Sequence, residues 1–73
     1  TNGNYEAALD GYLKIINSGF ESSELYFNLG NTFYKLNNIP ESNFYFEKAL
    51  AILIAIELAS PPALASLTLS AHL

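Results

Sequence analysis

The side chains of this sequence that could do chemistry are carboxylates and a single histidine. Glu6 and Asp10 are four residues apart and Glu21 and Glu24 are three apart, and two neighbouring carboxylates can serve as a general acid and a general base. Both pairs lie near the predicted starts of helices, where the helix dipole favours acidic side chains. Dipole compensation therefore accounts for them, and we expect no catalytic carboxylate pair.

Nucleophilic catalysis and metal binding have no better support in the sequence. An activated serine, threonine or lysine needs a neighbouring base, and residues 1–50 contain no histidine. His72 has no second ligand at helical spacing, and the chain has no cysteine, so neither a histidine site nor a thiolate site is expected. The four glycines form no phosphate-binding loop. We therefore predict a protein that is not an enzyme and binds no metal or cofactor.

The composition limits the class of protein further. With 73 residues, the chain can hold one small domain or part of a larger one. Hydrophobic residues make up 51% of it, which excludes a disordered chain, whereas charged residues make up 14% against about 25% in ordinary soluble domains. Nucleic acid is excluded as a partner, because phosphate binding needs clustered Lys and Arg, and this chain has three such residues and a net charge of −4.

Hydrophobic spacing and capping residues predict two helices in the first half of the chain. The first covers about Asn4 to Asn17, and Gly19 provides a left-handed helix stop. The second begins after Ser22 or Ser23 as the N-cap and ends near Leu36. Its apolar face carries Leu25, Tyr26, Leu29, Gly30 and Phe33.

A third helix is predicted after a tight turn at Asn37 and Asn38. Asn38 is the expected N-cap, and Glu41, three residues later, would complete a capping box. Pro40 lies in the first turn, where its missing N–H costs nothing. The pattern predicts a helix that continues through Phe44, Tyr45, Ala49 and Ile52.

An internal repeat relates the first and third helices. A spacing of 34 residues separates Asn4 from Asn38 and Lys14 from Lys48, which is the length of a repeated helix-turn-helix unit. Residue class is kept at the same spacing, because Ala8 aligns with Ser42, Tyr12 with Phe46 and Ile15 with Ala49. Such a repeat places a small residue where two helices approach closely and a large ring beside it.

With this spacing, residues 25–36 resemble the tetratricopeptide repeat (TPR) family. In the first helix of the repeat, the family has an aromatic residue, a Leu-Gly pair and a second aromatic residue, which fall here on Tyr26, Leu29, Gly30 and Phe33. In the second helix it has a small, an aromatic and another small residue, which fall on Ser42, Phe46 and Ala49. The resemblance implies an all-α fold of antiparallel helix-turn-helix repeats and covers about one and a half repeats. Residues 1–17 resemble the second helix of a preceding repeat, so the chain looks truncated. The link at residues 18–22 also resembles TPR proteins of bacterial aerotolerance operons.

The same resemblance implies a function in protein–protein interaction. The first helix of each TPR lines a concave groove, and the corresponding face here carries Glu24, Phe27, Asn28, Asn31, Tyr34 and Lys35. Asn28 and Asn31 can bond to the backbone of an extended peptide, and Phe27 and Tyr34 offer flat apolar walls. Asn28 also matches an asparagine of carboxylate-clamp TPRs, but the clamp lysines have no counterpart. Alternatively, these side chains pack against the next helix pair or face water.

The C-terminal part of the chain has a different composition. We predict a TPR-like domain over residues 1–56 and an apolar extension over residues 57–73. Residues 65–73 alternate as in a strand, whereas Ser60 as a cap with Leu64, Leu67 and Ala71 indicates a short fourth helix, which is favoured. Residues 51–59 are apolar all round except for Glu57, and something must cover them. We expect self-association, with a membrane-anchored scaffold as the alternative and a cytoplasmic location favoured. The side chains expected to mediate self-association are Ile52, Leu53, Ile54, Ile56 and Leu58.

Overall fold

Three α-helices make up the computed structural model, which describes residues 2–59. They are α1 (Asn2–Asn17), α2 (Ser23–Lys35) and α3 (Ile39–Ala59). The predicted all-α architecture of TPR-like helices is confirmed. The predicted fourth helix falls on residues 60–73, outside the described part of the chain.

The predicted stop of α1 is confirmed at Gly19. This residue has a φ of 96°, in the left-handed region that favours glycine, and its N–H donates to the Ile16 carbonyl at 2.9 Å. The hydroxyl of Ser18 also donates to the Ile15 carbonyl, at 2.6 Å. Two of the carbonyl groups at the end of α1 are therefore bonded before the chain turns towards α2.

The start of α1 differs from the sequence-based expectation. The helix begins at Asn2, and its first turn contains no acidic residue. Because the dipole acts within about one turn of the helix end, dipole compensation was the wrong explanation for Glu6 and Asp10. Asp10 instead forms an exposed ion pair with Lys14, at 3.2 Å between Oδ2 and Nζ.

Helix α2 begins and ends with hydrogen-bonded caps. Ser22, rather than Ser23, is the N-cap, and its side chain accepts from the N–H of Leu25 at 3.0 Å. At the other end Asn37 adopts a φ of 62°. Its N–H donates to the Tyr34 carbonyl at 2.9 Å, and the N–H of Asn38 donates to the Phe33 carbonyl at 2.8 Å. These two bonds form a Schellman motif in which asparagine replaces the usual glycine.

The same motif prevents the predicted capping box of α3. Such a box needs the side chain of Glu41 to accept from the backbone N–H of Asn38. That N–H is already bonded to Phe33, and within residues 2–59 no side-chain hydrogen bond joins Glu41 to Asn38. The carbonyl of Asn38 still accepts the first helical bond, from the N–H of Ser42 at 3.1 Å.

The core lies between α2 and the other two helices. Tyr26, Leu29 and Ala49 form its buried centre, and Leu29 is fully buried. The ring of Tyr45 lies between two rings of α2, with centroids 5.8 Å from Tyr26 and 5.5 Å from Phe33. The side chains of α1 that complete the core are Leu9, Tyr12, Leu13 and Ile16.

Gly30 lets α2 and α3 approach closely. A Cβ atom added at this position would overlap the ring of Phe46, so the ring occupies the space that any larger residue would need. Beside it the buried hydroxyl of Ser42 donates to the Gly30 carbonyl at 2.8 Å. Serine therefore fits at this small-residue position, because its hydroxyl has a partner inside the core.

Helix α3 continues beyond Ile52 and reaches Ala59. No proline interrupts residues 51–59, and alanine, leucine and glutamate are good helix formers. The predicted domain boundary at residue 56 stays a prediction. Within residues 2–59, no helix is long and apolar enough to span a membrane.

The phenol of Tyr26 is held by a carboxylate in the link just before α2. Its hydroxyl donates to Oε1 of Glu21 at 2.7 Å. The pKa of Tyr26 is raised to about 12, first by this hydrogen bond and then by the burial of the ring. The negative charge of Glu21 and the neighbouring Tyr45 raise it further. Since the ordinary pKa is about 10, the contribution of this group to stability is complete below pH 10 and is lost as the pH rises towards 12.

Replacing Gly30 by leucine should destabilise the fold by about 1 to 3 kcal/mol, because the new side chain must displace the Phe46 ring. Gly11 provides the matched control, since it lies in α1 with nothing within 4 Å of an added Cβ. Gly11→Leu should stabilise the helix by up to about 1 kcal/mol. Urea unfolding followed by circular dichroism measures both. Equal stability of Gly30→Leu and the parent would contradict the close approach.

Glu21→Gln should lower the pKa of Tyr26 towards 10, because the neutral amide removes the negative charge and weakens the bond to the phenol. Phenolate absorbance during a pH titration measures this, with Tyr26→Phe identifying the signal among the five tyrosines. The parent should lose stability between pH 10 and 12 more steeply than Tyr26→Phe. An unchanged Tyr26 titration in Glu21→Gln would show that the carboxylate is not the cause.

Candidate partner-binding surface

The predicted binding residues lie on the side of α2 that faces away from the core. Five of them are exposed and Asn28 is half-buried, whereas Leu25 and Leu29 on the opposite side are buried. The set, called the α2 face below, comprises Glu24, Phe27, Asn28, Asn31, Tyr34 and Lys35. Helical geometry thus brings these six residues to one surface, as their spacing predicts.

Two aromatic rings stand out on the α2 face. Phe27 is 46% exposed and Tyr34 is 59% exposed. Phe27 also contacts α3, because its ring centroid lies 5.5 Å from that of Phe46 at a tilt of 55°. Phe46 itself is packed against Gly30, so the core fixes the position of Phe27, while Tyr34 extends further into solvent.

Two amide side chains lie between these rings. Asn28 and Asn31 are three residues apart and therefore neighbours on the helix surface. The backbone carbonyl of Asn28 accepts from the Thr32 hydroxyl at 2.8 Å, but within residues 2–59 neither amide side chain has a protein hydrogen-bond partner. Each amide thus has both donor and acceptor capacity left for a ligand.

The charged members of the α2 face lie at its two ends. Glu24 is in the first turn of α2 and Lys35 is in the last, so both charges interact favourably with the helix dipole. Neither forms an ion pair among the described residues. One end of the face is therefore acidic and the other basic, which gives a ligand lying along α2 a preferred direction.

Sequence reasoning missed Phe46 as part of this surface. The 34-residue spacing aligned it with Tyr12 and marked it as a core ring, but nothing in that alignment indicates that one side of the ring supports Phe27. The spacing of one helix cannot show such a contact, because the two residues lie on different helices.

The residues predicted for self-association do not all have the same surroundings. Ile52 is half-buried and packs against the core, whereas Leu53, Ile54, Ile56 and Leu58 are exposed. Leu50, which the sequence analysis did not select, is exposed too. The apolar end of α3 is therefore defined here as Leu50, Leu53, Ile54, Ile56 and Leu58.

Two of the four carboxylates considered for catalysis have other partners. Asp10 pairs with Lys14, and Glu21 accepts from Tyr26. Within residues 2–59 no group of three or more His, Cys, Asp or Glu side chains is placed to hold a metal ion. The α2 face is an open surface, and no enclosed pocket was found in the described part of the chain.

Comparison with known protein families agrees with this arrangement of helices. The tetratricopeptide repeat family model matches residues 23–53, which include α2 and most of α3. No curated protein and no solved structure matches the chain, and the match does not support the more specific aerotolerance-operon type. Residues 23–53 are thus identified as a tetratricopeptide repeat, which supports a TPR protein.

Proposed function

We propose that this chain is a non-catalytic protein–protein interaction module that binds an extended segment of a partner protein along the α2 face. TPR repeats generally mediate interactions between proteins, and residues 23–53 match that family. The partner class is therefore protein. The α2 face is the surface whose side chains suit it best.

The exposed pair of Phe27 and Tyr34 carries this proposal. Aromatic residues are enriched where proteins bind one another, because a flat ring buries much area and loses little conformational entropy. Both rings are about half-exposed, although the core of the same helix buries Tyr26 and Leu29. A partner that covers the rings would remove this apolar area from water.

The spacing of the rings suggests the form of the ligand. Phe27 and Tyr34 are seven residues apart on α2, which corresponds to about 10 Å along the helix axis. An extended chain covers this distance in about three residues. Two apolar side chains of a partner could then contact the two rings, while Asn28 and Asn31 bond to the backbone between them.

The charges at the ends of the α2 face favour one orientation of that segment. A basic residue of the partner suits Glu24, and an acidic residue suits Lys35. Such exposed pairs contribute little affinity, but reversing the segment would bring like charges together. We therefore assign affinity mainly to the rings and amides, and orientation to the charges.

Asn31→Ala should weaken the binding of such a segment by about two- to tenfold, which corresponds to one lost hydrogen bond. The probe is a synthetic peptide selected on the full chain from a displayed random library, and its affinity is measured by calorimetry. Asn43→Ala is the matched control, because Asn43 is an exposed asparagine of α3 outside the α2 face.

Helicity by circular dichroism should be the same in the parent and both variants. If Asn43→Ala weakened binding as much as Asn31→Ala did, the α2 face would not be the site. An unchanged affinity in Asn31→Ala would lead to the same conclusion.

A further inference from the structure

One side of the apolar end of α3 carries a row of two apolar side chains between two carboxylates. Its members follow one another at spacings of three, four and three residues, so they lie on one side of the helix. The row, called the α3 stripe below, comprises Glu47, Leu50, Ile54 and Glu57. All four residues are exposed, and the exposed fractions of Leu50 and Ile54 are 58% and 48%.

The α3 stripe is distinct from the side of α3 that packs on α2. The core side carries Ala49, which is buried, and Ile52, which packs beside it. Ile56 follows Ile52 by four residues and therefore continues the core side, beyond the start of α2. It does not belong to the α3 stripe, and a single exposed isoleucine needs no partner.

Two leucines widen the apolar part of the stripe. Leu53 follows Leu50 by three residues, and Leu58 follows Ile54 by four, so the leucines are helical neighbours of the two central side chains. Both are exposed. Contiguous apolar surface of this kind marks a site of interaction, and its chemistry identifies the partner.

The carboxylates of the α3 stripe have no cation to neutralise them in residues 2–59, where neither forms an ion pair with a lysine. Lys48 is next to Glu47 in sequence, but its amino group lies over two rings on another side of α3. The Nζ atom is 5.3 Å from the ring centroid of Tyr26 and 5.4 Å from that of Phe44. The α3 stripe is therefore apolar in its middle and negative at both ends.

This charge pattern disfavours a second copy of the chain as the partner. The row is the same in both directions, because its spacings are symmetric and each end is a glutamate. Two copies that bring their apolar residues together thus also bring glutamate against glutamate, whether the helices are parallel or antiparallel. Like charges across an interface are costly, and the net charge of −4 adds to the repulsion.

A basic amphipathic helix has the matching pattern. Such a helix carries two apolar side chains four residues apart and a lysine or arginine three residues outside each of them. Laid along α3, it covers Leu50 and Ile54 and brings its cations to the two glutamates. Ten residues separate Glu47 from Glu57, which is about 15 Å along the helix axis, so about three turns of a partner helix are enough.

We propose that the α3 stripe binds a basic amphipathic helix of a partner protein. The apolar contact supplies most of the affinity, and the two glutamates select the charge of the partner and its register. The site is separate from the α2 face, and the inference does not depend on ligand binding there.

Two synthetic alanine-rich peptides of about 18 residues test the proposal, since such a length allows a helix in water. Each carries two leucines four residues apart. One peptide has a lysine three residues outside each leucine, and the other has a glutamate at both positions. Fluorescence anisotropy at low salt should show that the lysine peptide binds the full chain about tenfold more tightly, because two attractive pairs replace two repulsive ones. Equal affinities, or no binding of the lysine peptide, would overturn the proposal.

Neutral variants locate the charge selection. Glu47→Gln with Glu57→Gln should bring the two affinities to within about twofold of each other. Glu41→Gln is the matched control, because Glu41 is an exposed glutamate in the first turn of α3, outside the stripe, and it should keep the tenfold ratio. A tenfold ratio that survived in the double variant would contradict the assignment. Asn31→Ala should leave both affinities unchanged, and weaker binding of the lysine peptide there would move the site to the α2 face.

Two isoleucine variants test the apolar part of the stripe. Ile54→Ala should weaken the lysine peptide by about fivefold, because it removes apolar area from the contact. Ile56→Ala is the matched control, since Ile56 is also exposed but lies outside the stripe, and it should change the affinity little. Equal losses in the two variants would argue against the stripe as the site. Circular dichroism should show the same helicity in all variants.

Sedimentation equilibrium of the full chain distinguishes a second copy from a foreign helix. The parent and Ile54→Ala should give the same mass at micromolar concentration. A dimer that Ile54→Ala dissociates would mean that a second copy covers the α3 stripe, and the proposal would then be wrong.

Discussion

The close approach of α2 and α3 at Gly30 is the constraint on which the rest of the structure depends. The missing side chain admits the ring of Phe46, and the Ser42 hydroxyl bonds to the carbonyl of the same glycine. Because Phe46 lies there, its outer side can support Phe27. The tightest contact of the core thus also places an aromatic ring of the α2 face, the proposed partner-binding surface.

The sequence predicts the features of this fold that depend on local signals or on the repeat pattern. Helix α2 could be predicted because its signals are local: Ser22 caps its start, and Leu25, Tyr26 and Leu29 lie on one face. The small residue Ser42 was predictable from the repeat spacing, and Gly30 from the resemblance to the TPR pattern. The predicted capping box of α3 does not form, because the N–H of Asn38 is used by the end of the preceding helix, and the sequence of α3 alone cannot show this.

For the candidate surface, the grouping of residues on one helix could be predicted from the sequence, whereas contacts between two helices could not. Helical spacing alone groups Phe27, Asn31 and Tyr34 on one side of α2. It cannot show that Phe46 supports Phe27, or that Ile52 packs into the core while Ile56, four residues later, does not. Ile56 lies beyond the point where α2 begins, so α2 does not cover it. How far one helix extends past its neighbour is a property of the assembled fold.

The shared link at Asn37 and Asn38 couples the stability of α2 to that of α3. Its hydrogen bonds belong to the end of α2 and the start of α3 at once, so fraying of one helix removes a bond that positions the other. Most interhelical contacts also join these two helices. The stability of α2 and the stability of α3 are therefore coupled, and a local opening at this link weakens both.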